Sequence, residues 1–299
     1  MADSTLRQPL DVIVCVHNSP EFVGPCLASV IETLRPGDRL IIVDDGSAEE
    51  TRRLCEEARE SAPERILLVR REQGSGFCKA ANAGLRVATA ETIVLLNSDT
   101  LVLGDWLDRI DACMGANPQI GLVGPLSNAG GWQSIPELPG PDQPDAPIRP
   151  EPEVLRAVYS YCQGFGERFE YPIVEQINGF CIALRRAVIE AVGPFDEASF
   201  PMGYGEENDL TFRAMDAGFL CAVAVDCFVY HAKTKSYSDA QREQYNKAGQ
   251  ATLHRLHGKA RVVNAVRSTQ RNLILAAIRK DARETFPAQG WIRGRAVPA

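Results

Sequence analysis

The sequence predicts an α/β protein with a mostly parallel, doubly wound central sheet, and three observations carry that prediction. Four aliphatic runs of strand length recur in the first hundred residues, each too continuous to leave one face in water. Each run stops in polar residues, most of them Asp, Asn, Ser or Gly, and each of the first three stops leads into a stretch with helical spacing. Strands that alternate with helices in this way pair in parallel, and their polar ends collect at one edge of the sheet, where ligands bind in open α/β folds.

In chain order, Leu10 to Val16 is the first strand, and His17-Asn18-Ser19-Pro20 turns into a helix from about Pro20 to Leu34. On that helix Phe22, Cys26, Leu27, Val30 and Ile31 fall near one face. Arg35-Pro36-Gly37-Asp38 breaks it, and Leu40 to Val43 is a second buried strand. Asp44-Asp45-Gly46-Ser47 ends that strand and suits the N-cap of a helix over roughly Ala48 to Ser61. Ile66 to Arg70 is the third strand, followed by Gly74-Ser75-Gly76 and a helix through Ala80, Ala81, Leu85 and Val87. The fourth run, Ile93 to Leu96, ends in Asn97-Ser98-Asp99-Thr100. These four residues read equally as a plain turn or as a carboxylate, Asp99, placed to hold a hard cation against a phosphate.

The middle of the chain is different. Gly130 to Pro152 is rich in Gly, Pro and Asp, too broken for helix or central strand, and reads as a long loop. Glu153 to Tyr161 reads as a helix, and Tyr159, Tyr161, Phe165, Phe169 and Tyr171 suit either a core or a sugar-stacking face. A strand over Glu175 to Leu184 leads into a helix that starts at Arg185-Arg186 and ends before Gly193. Phe200 to Gly205 is a flexible approach to Glu206-Glu207-Asn208-Asp209, three carboxylates at a helix start. Acidic residues there complement the helix dipole, but compensation alone does not need three. Asp209 and Arg213 stand one turn apart and are expected to pair. Helices are predicted over Asp239 to His257 and about Ala260 to Lys280.

At 299 residues with 45% hydrophobic content, the chain can bury a sizeable core in one large α/β domain or two smaller ones. Nine scattered cysteines without a CxxC pair suggest neither disulfides nor a zinc site, and fit reduced thiols in a cytoplasmic protein. No stretch reaches the ~20 apolar residues of a membrane span, and the first residues lack a secretory apolar region. The net charge of -7 is uneven: ten Lys and Arg against two acids from Ala251 onward give +8, leaving -15 on the first 250 residues. The basic end is either a solvated helical face or a contact for an anionic surface. Gly74-Ser75-Gly76 follows the third strand and lacks the remaining glycines of a dinucleotide site, and no GxxxxGK[ST] occurs, so NAD and P-loop chemistry are set aside.

Seven motifs in order then carry a resemblance: Val16-His17-Asn18; Val43-Asp44-Asp45-Gly46-Ser47; Gly76-Phe77 with Asn82 and Gly84; Leu96-Asn97-Ser98-Asp99; Gly179-Phe180 with Arg185-Arg186; Gly205 to Leu210 with Arg213; and Val229-Tyr230-His231. From about Asp11 to Tyr237 the chain resembles a family 2 glycosyltransferase of GT-A fold, a Rossmann-like sheet flanked by helices, here with a helical C-terminal extension. The resemblance implies a nucleotide-sugar-binding half over residues 1–128, an acceptor-binding and catalytic half over 129–238, and a basic helical extension over 239–299. It implies a donor site of Asn18, Asp45, Gly76, Asn82, Asn97, Ser98 and Asp99, and a divalent cation, Mn²⁺ or Mg²⁺, on Asp99 and His231. Asn97 stands where the family has the first carboxylate of its DxD motif, and Glu207 where the second acid of the catalytic pair is usually Asp. Glu207 is the implied general base, with Glu206 in reserve.

The implied reaction is inverting transfer from a UDP- or dTDP-linked sugar to a saccharide or lipid-linked saccharide hydroxyl, as in bacterial surface-polysaccharide and rhamnosyl-transfer pathways. No nucleic-acid partner is expected. The basic tail is expected to touch the inner face of the membrane or to form a homo-oligomer. Loss of the acid at Asn97 leaves a catalytically inactive nucleotide-sugar-binding module as the alternative.

Overall fold

The computed structural model describes residues 8–138, 151–233 and 239–286. The proline-rich part of the predicted long loop, from residue 139 to 150, lies outside the described residues.

The first half of the chain alternates strand and helix. β1 (Leu10–Val16), α1 (Pro20–Thr33), β2 (Arg39–Asp45), α2 (Glu49–Ser61), β3 (Ile66–Arg71), α3 (Phe77–Val87) and β4 (Thr92–Asn97) follow one another. Next come β5 (Thr100–Leu101), α4 (Trp106–Gly115) and β6 (Ile120–Leu126), then α5 (Pro152–Gln163), β7 (Ile173–Val174) and β8 (Cys181–Arg185). The remainder is α6 (Arg186–Val192), α7 (Glu206–Asp216), β9 (Leu220–Phe228), β10 (Tyr230–His231), α8 (Asp239–His257), α9 (Lys259–Gln270) and α10 (Leu273–Thr285).

Eight strands form one sheet in the order β3-β2-β1-β4-β8-β6-β9-β7, in which β8 runs antiparallel to β4 and β6, and β7 antiparallel to β9. The other six strands share one direction, so the loops after β1, β2, β3, β4 and β6 open on one edge. Being antiparallel, β8 starts at that same edge, which brings Asn178-Gly179-Phe180 there. β10 pairs antiparallel with β5, setting His231 opposite Thr100.

The strands are buried on both faces because helices cover both: Val12, Ile13, Val14, Ile41, Ile42, Val94, Val123 and Val223 are all fully buried. α1 buries Val23, Cys26, Leu27 and Val30, with Phe22 and Ile31 of the expected face packed partly against the core. The predicted strand over Glu175 to Leu184 is shorter than expected. The stretch before Cys181 makes other bonds instead of a ladder, with Gln176 Oε1 accepting from the Trp132 indole at 3.2 Å and Asn178 N donating to Gln133 Oε1 at 2.7 Å. The helix predicted over Ala260 to Lys280 is two helices, broken where Asn272 Oδ1 accepts from Leu275 N and starts α10. The aromatic residues after α5 are core: Phe165 is fully buried and meets Tyr161 and Phe169 edge-on, and Tyr161 meets Phe286 beyond α10. All nine cysteines are free thiols.

One buried ion pair pins the back of the sheet. Asp11 on β1 is 1% exposed and accepts from Arg39 Nε at 2.8 Å and Nη2 at 2.9 Å, and from the N–H groups of Thr89 and Ala90 at 2.6 and 2.9 Å. Burial works against the charged form, but these donors outweigh it and hold the Asp11 carboxyl below its usual value. Asp11→Ala should cost about 3 kcal/mol, since two N–H groups lose their acceptor and Arg39 its partner. A group with a depressed folded pKa stabilises above its unfolded value and ceases to do so as pH falls through the folded one. The difference between Asp11→Ala and the parent in urea midpoint should therefore be full at neutral pH and shrink below about pH 4. Equal midpoints at neutral pH would remove the pair from the stability argument.

Candidate active site

The loops at the open edge are joined to one another before any ligand is considered. After β1, Asn18 and Ser19 both take left-handed backbone, at φ 57° and 62°, uncommon for residues with a Cβ and frequent at functional sites. Asn18 N donates to Ser47 Oγ at 2.9 Å, Asn18 Oδ1 accepts from Ala48 N at 2.9 Å, and His17 Nδ1 meets Asp45 O at 2.8 Å. Asn18 thus ties the first loop to the second and satisfies an N–H at the start of α2.

The two aspartates after β2 divide the work. Asp44 is fully buried, accepts from Ser47 N at 2.8 Å and pairs with Arg70 on β3. Asp45 is 4% exposed and turns into the third loop, accepting from Ser75 N at 2.8 Å, Gly76 N at 2.9 Å and Ser75 Oγ at 3.1 Å. Gly46 must be glycine, because at φ 71° a Cβ would stand 2.5 Å from Gly74 N. Gly76, at φ 94°, lets the third loop close on Pro201 O, which a Cβ would meet at 2.7 Å.

Asn82 is a correction to the expected donor site. It is 2% exposed, its Nδ2 donates to Phe195 O at 2.9 Å and Glu197 Oε1 at 2.8 Å, and its Oδ1 accepts from Phe195 N at 3.1 Å. With both amide N–H groups committed there, Asn82 clips α3 to the turn after α6.

Asn97, Ser98 and Asp99 emerge half-buried from β4. Asn97 N donates to Phe180 O at 2.8 Å, and Asp99 O accepts from Ala232 N at 2.9 Å. Asp99 Oδ1 stands 3.4 Å from His231 Nε2. His231 Nδ1 lies 2.9 Å from Ala129 O, and since a carbonyl can only accept, Nδ1 carries the proton. Nε2, the usual metal-binding position, is then the nitrogen turned toward Asp99, with a lone pair in the neutral ring and a proton in the charged one. Burial alone would lower the His231 pKa; the Asp99 charge reverses this and raises it.

Among the described residues no three His, Cys, Asp or Glu side chains gather as a metal site. Two protein ligands are nonetheless the number that a Mg²⁺ or Mn²⁺ site completed by substrate phosphates and water requires, so Asp99 and His231 fit such an ion.

Glu206 and Glu207 open α7 on a left-handed Gly205, φ 119°. Glu206 is 7% exposed and its Oε2 is buried without a donor. Burial, and next the charge of Glu207, raise the Glu206 pKa well above its usual value. Glu207 is half-buried and accepts from Gly205 N at 3.2 Å and Asn208 Nδ2 at 3.0 Å. Burial raises Glu207 as well, and backbone N–H donors oppose the rise. Glu207 is the less buried of the two and has an N–H donor on each carboxylate oxygen.

The Gly179-Phe180 segment joins this pair to the aspartate-histidine pair. A Cβ on Gly179 would lie 3.6 Å from Glu207 Cβ, and the Phe180 ring stacks on His231 at 5.2 Å and 15°. Sequence reasoning on Gly179-Phe180 gave no hint of this bridging; an aromatic just before a strand, facing a Tyr-His pair, was the available signal. The outer wall comes from α8. Gly249 packs so closely on Tyr204 that a Cβ would fall 1.7 Å from Tyr204 O, and one on Gly205 would stand 3.0 Å from Leu253 Cδ1. Behind them Asp209 accepts from Arg213 Nε and His257 Nε2, each at 2.8 Å, locking α7 to the end of α8. A shallow hollow of about 290 Å³ among Glu56, Arg59, Leu67 and Arg70 lies on the β3 edge and includes none of these groups.

Residues 11–193 match the family model described as Glycosyl transferase family 2. Among curated proteins, Glycosyltransferase GlyG of Streptococcus pneumoniae is 25% identical over 105 residues, 35% of this chain and 35% of that one. The putative teichuronic acid biosynthesis glycosyltransferase TuaG of Bacillus subtilis is 31% identical over 100 residues, 33% of this chain and 39% of that one. The matched stretches thus span little more than a third of these relatives' lengths. Two solved structures share the fold. The mannosyltransferase PcManGT from Pyrobaculum calidifontis, in complex with GDP-Man and Mn²⁺, has a TM-score of 0.61 at 19% identity, over 96% of this chain and 77% of that one. GalNAc-T7 with UDP, GalNAc and Mn²⁺ has a TM-score of 0.60 at 15% identity, over 96% of this chain and 59% of that one.

Proposed function

The chain belongs to glycosyl transferase family 2, and on that premise we propose that it is an inverting glycosyltransferase that moves a sugar from a UDP- or dTDP-linked donor to a saccharide or lipid-linked saccharide hydroxyl. The observation that carries this reading is the Gly179-Phe180 bridge, which seats Glu207 on one side and stacks on His231 on the other. It couples a candidate base to a candidate cation-binding pair, the two parts of a metal-assisted inverting transfer.

In the proposed reaction Glu207 takes the proton of the acceptor hydroxyl as its oxygen attacks the anomeric carbon opposite the leaving diphosphate. Glu206, its pKa raised by burial and by the Glu207 charge, is biased toward its neutral form beside it. Asp45 acts through the loop it holds, fixing the Ser75 and Gly76 N–H groups where the third loop borders the donor site. When bound, a divalent cation on Asp99 and His231 supplies positive charge to the leaving diphosphate. The names of relatives in teichuronic and teichoic acid synthesis support a surface-glycan acceptor.

The test is nucleotide release from a panel of UDP-, dTDP- and GDP-sugars with candidate glycan acceptors, with Mn²⁺ and again with EDTA. Release from one nucleotide class, abolished by EDTA, is expected. Mn²⁺-dependent binding of a donor with no release across the panel would favour the inactive binding module, the reading that the neutral Asn97 supports.

A further inference from the structure

Arg279 on α10 is 6% exposed, yet its single hydrogen bond runs from Nη1 to Trp132 O at 3.0 Å. A guanidinium has five N–H groups and is seldom buried unless paired. Several partly buried arginines are answered more fully: Arg39 by Asp11, Arg109 by Asp105 and Asp226, Arg213 by Asp209, and Arg185, without an acid, by the carbonyls of Ile120 and Met114. Arg283, one turn further on the same face of α10, reaches Pro136 O at 3.5 Å. No carboxylate among the described residues pairs with either.

The acids nearby on α10 are taken, Asp281 by Arg168 and Tyr161, and Glu284 at 3.9 Å from Lys280. Burial, and then the charge of Arg283, lower the Arg279 pKa. Two like charges held together without a counter-ion are a cost that an anion would remove.

The place matters as much as the charge. The segment after β6 offers Ala129 O to His231 and, three residues on, Trp132 O to Arg279, so the two anchored backbones are at most ~11 Å apart. The same segment is bound through Trp132 and Gln133 to the stretch that leads to Gly179 beside Glu207. We propose that Arg279 and Arg283 form an anion-binding subsite on the acceptor side of the cleft, and that its ligand is a phosphate ester carried by the acceptor. A phosphate offers oxygens to both guanidiniums and matches the arginine fork, and a carboxylate polymer serves as the competing ligand in the test. The word acceptor rests on the glycosyl-transfer reading; the anion site itself does not. Phosphate esters of this kind occur in a soluble polyol-phosphate chain and in a lipid-linked headgroup.

The test uses the full chain in EDTA, which removes cation-bridged phosphate binding at Asp99. One arm titrates a soluble glycerol-phosphate hexamer by calorimetry; the other measures co-sedimentation with phosphatidylcholine vesicles with and without undecaprenyl phosphate. Binding in one arm, weakened about tenfold by Arg279→Gln and by Arg283→Gln, is expected, and the arm that responds names the source. Arg283 is exposed, so its variant should keep the parental thermal melting point even if Arg279→Gln does not. Mn²⁺-dependent UDP binding, measured separately, should be unchanged in both. No binding in either arm, or binding that Arg283→Gln leaves intact, overturns the subsite. An oligogalacturonate bound more tightly than the hexamer, with the same arginine dependence, overturns the phosphate assignment. Loss of the subsite with UDP binding and turnover intact would leave the glycosyl-transfer reading standing, and phosphate binding without any turnover would do the reverse.

Discussion

Glu207→Gln is expected to lower the turnover number by about 10³-fold while leaving Mn²⁺-dependent nucleotide binding within about twofold of the parent. The amide keeps the size of the side chain and can still accept from Gly205 N, so the loop should stay in place while the proton acceptor is lost. Glu206→Gln should behave differently. Burial favours the uncharged form of Glu206, and an amide is uncharged too, so a loss within about tenfold is expected. The pH profile separates the two roles. With both carboxyls raised by burial, the acid limb of kcat/KM should lie above the usual carboxylate range and report the pair rather than either residue. Below that limb Glu207 gains a proton and the rate falls. In Glu206→Gln the neighbouring carboxyl is gone, so the limb should become a single titration. Equal losses in both variants, or a nucleotide affinity that collapses with Glu207→Gln, would take the base away from Glu207.

Asp99→Asn should weaken Mn²⁺-dependent nucleotide binding by about 100-fold or more, or roughly 2.7 kcal/mol. The prediction is steep because the neighbour two positions back is Asn97, whose amide cannot replace a missing carboxylate charge. His231→Asn should cost less, about tenfold to 100-fold, since it removes a neutral ligand. Asn97→Asp is the converse test. It returns a second carboxylate to the half-buried end of β4 and should tighten Mn²⁺ about tenfold if that end holds the metal. Calorimetric titration of Mn²⁺ with UDP reads all three. An Asp99→Asn variant with parental Mn²⁺ affinity would place the ion elsewhere.

Much of this arrangement was legible in the sequence, for identifiable reasons. The strands of the first half announced themselves because parallel strands covered on both sides cannot hide their aliphatic continuity, as Leu40 to Val43 and Ile93 to Leu96 illustrate. What failed were positions whose partners are far along the chain. Asn82 looked like a donor contact because its amide, read locally, had no other employment; its partners Phe195 and Glu197 lie more than a hundred residues on. The start of β8 was misplaced because Gln176 and Asn178 bond across to Trp132 and Gln133, which no periodicity reveals. The basic tail, legible as charge, gave no sign that Arg261 would spend itself on Asp216 and the Phe212 ring while Arg279 met no acid among the described residues.

The fit of Gly249 against Tyr204 also has a consequence for when the molecule becomes competent. Residues 203–207 approach their final geometry with α8 as their outer wall, and α8 is synthesised some forty residues after them. A chain emerging from the ribosome can pair β1 with β2 and β4 and fill most of its core while Glu206 and Glu207 still lack that wall. The strands and helices of the first half are therefore free to assemble early, and the acid pair gains its wall only when α8 has followed. A chain cut short before residue 249 would be expected to keep the sheet and lose the catalyst.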